Sequence, residues 1–179
     1  MRRALLALLL TAGPALAETC PAPPDMSDRA DSLHADLAAA PDPGTAQRIG
    51  GALWELWLTA PDDAAQDLLD DGMARMRVGD LAGSIETLGR LTYYCPDYAE
   101  GWNQRAFAKY LGGDYEGALD DLDRAVALSP RHVGAVSGRG LTLFRLGREE
   151  EGRAAIEYAV DLNPWLAERA LLEAPGEDI

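Results

Sequence analysis

Small and apolar residues return along the second half of the chain at a fixed step of 34 residues. With Ala65, Ala99 and Val133 as the first residues of successive copies, a small residue recurs at Gly72, Ala106 and Gly140, and another at Ser84, Ala118 and Gly152. Apolar positions follow in phase: Leu88, Leu122 and Ile156, then Leu91, Ala125 and Ala159, then Tyr94, Leu128 and Leu162. Their three- and four-residue spacing is that of one helix face. Gly79, Gly113 and Gly147 interrupt each copy in the middle, where glycine tolerates the left-handed backbone that ends a helix. Pro96, Pro130 and Pro164 close each copy, because proline stops the preceding helix and suits the first turn of the next. The pattern predicts three helical hairpins, residues 65–98, 99–132 and 133–166, each unable to bury its apolar side alone and therefore stacked on its neighbour.

A weaker copy precedes them. Gly44 and Pro61 stand 17 residues apart, the spacing of Gly79 to Pro96, and Leu33, Leu37, Ile49, Leu53, Leu56 and Trp57 supply an apolar side. Pro41 and Pro43 end its first helix early. Residues 27–61 are expected to form a degenerate helical hairpin that caps the N-terminal end of the stack. After Pro164, residues 164–174 carry Leu166, Ala170 and Leu171 at helical spacing, which predicts a C-terminal capping helix over the last repeat, with residues 175–179 a disordered tail.

The middle copy sets Trp102 at an aromatic position, followed by Ala106, Gly113-Asp114-Tyr115, Ala118, Leu122, Ala125 and Pro130. In these residues it resembles the tetratricopeptide repeat (TPR) family. It departs from the family pattern at Arg105 and Lys109, where leucine and tyrosine are usual, and the third copy departs at Glu149 and Arg153. The resemblance implies an all-α, right-handed α-α superhelix, a solenoid of three clear repeats plus the degenerate hairpin and the capping helix. It also implies that the first helix of each copy lines a concave face that holds a peptide or a partner helix. On that register the partner-binding residues are Met73, Met76 and Arg77, then Asn103, Gln104, Phe107 and Tyr110, then Ser137, Leu141, Phe144 and Arg145. The family's chaperone-tail groove clamps a terminal carboxylate with lysines, asparagines and an arginine. This chain has Leu69 and Met73, and Gly134 and Gly138, at the corresponding places, which argues against that ligand. The expected function is a non-catalytic protein–protein interaction module, an adaptor or scaffold. The alternative is a homo-oligomeric structural or enzyme-accessory subunit that buries the same face. Stacking would bring Asp71 near Arg105, either as an inter-repeat ion pair or with the arginine laying its stem on apolar surface.

Residues 1–17 carry Arg2-Arg3, an apolar run from Ala4 to Leu10 and Ala15-Leu16-Ala17 before Glu18. This is the pattern of a secretory signal peptide cleaved after Ala17, followed by a Pro-rich tail over residues 18–26. The apolar run is too short to remain as a membrane span. Alanine-rich usage with Lys109 as the sole lysine points to a bacterial precursor and a periplasmic address. Loss of Arg2 and Arg3 makes the net charge of −14 more negative by two. Such acidity argues against nucleic acid and against anionic lipid as partners.

Cys20 and Cys95 are the two cysteines, and an even count in an exported chain favours a disulfide, with two free thiols or an intermolecular pair as alternatives. The tail between Cys20 and Ser27 reaches roughly 20 Å, which makes bridging feasible.

Candidate chemistry is sparse. His34 and His132 lack partners at metal-ligand spacing, and His132 reads as an exposed histidine at a helix start. No serine lies in G-x-S-x-G, and Gly50-Gly51 and Gly112-Gly113 are not followed by the residues of a phosphate loop. Asp120, Asp121 and Asp123, and Glu149 to Glu151, open second helices, where the helix dipole favours negative charge, and read as a solvated face. The expectation is no enzyme, no cofactor and no metal.

Overall fold

The computed structural model describes residues 19–172. The expected signal peptide and disordered tail lie outside them. The described chain is helical: α1 Ser27–Ala38, α2 Pro43–Trp57, α3 Asp63–Arg77, α4 Leu81–Tyr94, α5 Ala99–Leu111, α6 Tyr115–Leu128, α7 Val133–Arg145, α8 Glu149–Leu162 and a closing 3₁₀ helix Ala167–Leu172. The pairs α3/α4, α5/α6 and α7/α8 are the hairpins of the three repeats. α4 packs on α5 and α6 on α7, and α3, α5 and α7 lie side by side.

Each hairpin turns on a left-handed glycine. Gly79, Gly113 and Gly147 have φ of 84°, 83° and 72°, a region that other residues rarely adopt. The next residue starts the second helix: the Asp80 and Asp114 carboxylates accept from the backbone N–H of Gly83 and Gly117. Arg148 makes no such cap, and Glu149, Glu150 and Glu151 in the first turn complement the helix dipole instead. The small-residue positions set how closely the two helices approach. A Cβ on Gly72 would stand 2.5 Å from Leu88 Cγ, and one on Gly140 would stand 2.7 Å from Ile156 Cδ1 and 3.1 Å from the Gly152 carbonyl.

The polar departures from the repeat form a connected set. Arg105 donates through Nε and Nη2 to both oxygens of Asp121, at 2.8 and 2.6 Å, and through Nη1 to Thr92. Lys109 reaches the same carboxylate at 2.7 Å. Asp121 is therefore buried, not part of a solvated face, because two cations from the facing helix are placed on it. Asp71 does not pair with Arg105: it holds Arg75 one turn on and accepts from Thr87. Ion pairs between successive copies are instead Arg139 with Asp123 and Arg124 with Asp97.

The N-terminal hairpin forms, with Pro43 opening α2 behind an Asp42 cap, but its position corrects the expectation of a cap. α2 does not stack on α3 as α4 stacks on α5. Its own core is Leu33, Leu37, Ala46 and Leu53, and its large side chains reach the edge where the inter-repeat loops gather. Tyr98 of the first loop donates to the Trp57 carbonyl at 2.7 Å, and Arg131 of the second pairs with Asp31. His34 Nδ1 donates to the Leu162 carbonyl at 3.3 Å, and the Trp57 ring packs on Val133, Val136, Ala159 and Leu162. A disulfide between Cys20 and Cys95, 75 residues apart, ties the segment to the first repeat. The hairpin thus bridges all three repeats. At the other end, the expected capping helix is a 3₁₀ helix, whose three-residue turn breaks the shared face of Leu166, Ala170 and Leu171. Leu166 packs on the Val133 cluster while Leu171 stays exposed.

Three outcomes follow from this packing. Asp121→Ala, which strands two cations against each other, is expected to lower stability by about 3 kcal/mol, and Asp71→Ala, at an exposed pair, by far less. Denaturant titrations of both, and of Asp71→Ala with Arg105→Ala, check this, the last pair being additive. Trp57→Ala is expected to loosen the hairpin by about 2–3 kcal/mol, read as faster amide exchange in α1 and α2 with α5 to α8 still protected. Burial holds His34 below the ordinary histidine range, with the Arg131 charge adding to this while the Leu162 carbonyl, the Arg131 backbone and Asp31 oppose it. The unfolded chain protonates it from about pH 6.5 downward. The stability it contributes is full above that pH and declines as pH falls toward the lowered folded value. Melting temperatures across this range should fall less steeply in His34→Gln.

Candidate functional site

The first helices present one continuous apolar strip, because their inward positions recur every three or four residues on three parallel copies. α3 brings Met73, Met76 and Arg77, α5 brings Asn103, Gln104, Phe107, Tyr110 and Leu111, and α7 brings Gly134, Gly138, Leu141 and Thr142. Ala106 and Leu122 lie beneath, and Trp54 of α2 closes one side. Together they enclose a cavity of about 450 Å³. Phe107 and Leu111 are half exposed and Trp54 is 37 % exposed, a cluster of large apolar groups left open to water.

The structure thus gathers Met73, Met76, Arg77, Asn103, Gln104, Phe107, Tyr110 and Leu141 around one space. It places the remaining expected residues elsewhere. Ser137 is buried and donates to the Gly134 carbonyl one turn back. The Phe144 ring turns into its own repeat, where a Cβ on Gly152 would stand 3.1 Å from it. The Arg145 guanidinium lies over the Tyr115 ring, 4.7 Å from its centroid, and bonds the phenol. Trp54 was not foreseen, since a degenerate hairpin gives no register to place it. Gly134 is the trace it leaves in α7, as a Cβ there would stand 3.1 Å from the Trp54 ring.

Beneath the hairpin lies a polar floor. Glu100, in the first turn of α5, is 1 % exposed and accepts from Asn103 Nδ2 at 3.0 Å, Gln104 Nε2 at 2.6 Å and His132 Nε2 at 2.7 Å. His132 does start a helix, but it is wholly buried, not exposed. Its Nδ1 accepts from Ala135 N–H as the cap of α7, and its ring stacks on Trp57 with centroids 3.9 Å apart. The cause is the hairpin, which covers the loop that the repeat pattern alone leaves open. Burial, aided by the charges of Glu100 and Asp70, pushes the Tyr98 phenol far up, so it stays a donor to the Trp57 carbonyl. The arrangement is suited to binding: an aromatic and methionine wall that adapts to irregular apolar shapes, over a floor of fixed hydrogen-bonding groups.

A family model described as tetratricopeptide repeat matches residues 105–164. A TPR repeat-containing protein of Rhizobium etli is 26% identical over 136 residues, 76% of this chain and 67% of that protein. Human tetratricopeptide repeat protein 36 is 36% identical over 105 residues, and the match spans only 56% of the human protein's own length. Among solved structures, the first TPR domain of Spaghetti (RPAP3), bound to the HSP90 peptide SRMEEVD, superposes with a TM-score of 0.59 at 26% identity over 60% of this chain and 86% of that one. MamA, at 21% identity and a TM-score of 0.55 over 66% of this chain and 74% of its own, shares the fold. Residues 105–164 thus match the tetratricopeptide repeat family, and with three copies in register and three glycine turns at one backbone conformation the described chain has the fold of that family.

Proposed function

We propose that the chain is a non-catalytic adaptor or scaffold that holds a protein or peptide partner in the concave cavity, in the bacterial periplasm after loss of residues 1–17. The fold is one of protein–protein interaction. The observation that carries the finer reading is the cavity of about 450 Å³ walled by Met73, Met76, Phe107, Tyr110 and Leu141. Its size and apolar lining suit a few side chains of a partner, and exposed aromatic anchors are the usual seat of binding energy. The similar RPAP3 domain is bound to a peptide, which favours a peptide-like partner here. Leu69 is fully buried and Met73 is apolar, so this wall reads side-chain shape and not a terminal carboxylate. The Cys20–Cys95 bridge favours an oxidising compartment.

The test is crosslinking in the periplasm of cells expressing the chain with its own leader, comparing wild type with Phe107→Ala, Tyr110→Ala. A defined partner recovered with wild type and reduced at least tenfold with the variant is expected. Recovery of the same partners with both would move the function to another surface. A wild-type chain that runs as a concentration-dependent oligomer, lost in the variant, would favour the homo-oligomeric subunit.

A further inference from the structure

We propose that the floor of the cavity is a cation subsite that takes the ammonium of a lysine, or the guanidinium of an arginine, carried by an apolar segment of the partner. The inference rests on the reading of the cavity as the partner site and names what that site selects.

The first ground is a deeply buried carboxylate that no lysine or arginine among the described residues reaches. The three hydrogen bonds that Glu100 accepts come from Asn103, Gln104 and His132. Because Ala135 N–H donates to His132 Nδ1, the hydrogen that Glu100 accepts is the one on Nε2. Among the described residues Glu100 pairs with no lysine or arginine, and its partner is His132. What remains is the first-turn dipole of α5, equivalent to about half an elementary charge. A carboxylate at 1 % exposure is costly unless paired more fully than this.

The second ground is what the two amides show to the cavity. One N–H of each NH₂ group is given to Glu100, which turns the carbonyl oxygens away from it. Neither Asn103 Oδ1 nor Gln104 Oε1 accepts a hydrogen bond from a described residue, and neither is sealed from solvent, while both side chains line the cavity. The floor therefore offers two carbonyl acceptors, on amides whose far sides are bonded to the Glu100 carboxylate. A cationic donor bonding these oxygens polarises each amide against Glu100, so the bonds reinforce one another. A partner carboxylate would meet the lone pairs of these two oxygens.

The surroundings fix the rest of the ligand. Met73, Phe107 and Leu141 receive an aliphatic stem and its apolar neighbours. Arg77 ends α3, roughly 12 Å along the helix axes from the level of Asn103 at 1.5 Å per residue, so the cavity takes one cation at its floor and not a basic run. The net charge of −14 draws a basic partner toward the face.

The probes are three capped 14-residue amphipathic peptides of leucine and phenylalanine, identical except for lysine, norleucine or glutamate at the central position. They are titrated calorimetrically into the disulfide-bonded chain. The lysine peptide is expected to bind at least tenfold more tightly than the norleucine peptide, with the glutamate peptide weakest. Glu100→Gln is expected to remove the lysine preference, the ratio of lysine-peptide to norleucine-peptide affinity falling to about one. Should that variant fail to fold, Gln104→Met, close to it in shape, is expected to cut the preference by itself. Equal affinity for lysine and norleucine, or tightest binding of glutamate, would overturn the cation subsite while leaving the apolar cavity standing, provided Phe107→Ala weakens all three. Absence of binding by any of the peptides would overturn both readings.

Discussion

Each hairpin closes because a residue without bulk stands where its two helices cross. Gly72 faces Leu88, and Gly140 faces Ile156 and the Gly152 backbone, at separations that leave no room for a Cβ. Ala106 and Ala118 do the same in the middle copy, both fully buried. That approach lets Leu88, Leu122 and Ile156 fill the space between helices, and it sets the first helices close enough to lie side by side. The concave face is a consequence. Once α3, α5 and α7 are parallel, whatever the sequence puts at their inward positions becomes one surface, and here it puts methionine and aromatic rings.

The repeated features were legible in the sequence because each was stated three times. The left-handed glycines, the small crossing residues and the buried positions of the second helices all fall where the 34-residue step placed them. Site residues on α3 and α5 were legible for the same reason. Those on α7 were less so, because the third copy replaces bulk by glycine. With Gly152 opposite, the Phe144 ring turns into its own hairpin, and with Gly134 and Gly138 in α7 the wall there is open, so that Leu141 carries most of it. Arg105, Lys109 and Asp121 each look like a flaw when read singly. Together they are one buried ion-pair cluster, a pairing that joins facing helices and is invisible in a linear pattern.

What occurs once could not be read by periodicity. The spacing of Gly44 and Pro61 predicts a hairpin but carries no information about where it docks. Docking is decided by Trp54, Trp57, His34 and Cys20, none of which has a counterpart in another copy. Their contacts run along the loops that end the repeats, so the hairpin holds Tyr98, His132 and Leu162 in one line. The disulfide supports this from the other side: a loop of its length removes unfolded-chain entropy worth about 4 kcal/mol in the chain-entropy model. A stack of three repeats has a small core for its length, and a strap across all three loops adds burial that another stacked copy would supply at one end only.

The same strap gives the cavity its character. Where Trp57 covers His132, water is kept from Glu100, and the carboxylate must be satisfied by protein donors alone. Those donors are His132 and the amides of Asn103 and Gln104, so the amides are oriented from behind before any partner arrives. Preorganised polar groups lose little freedom on binding and therefore discriminate well between donors and acceptors. Trp54, on the same helix as Trp57, meanwhile forms the apolar side wall. A hairpin that stacked as a cap at the end of the solenoid would leave Glu100 hydrated, the amides free to rotate and the groove open along its whole length. Crossing the loops instead, it turns a shallow repeat groove into a bounded cavity with an apolar wall and a floor of oriented amides.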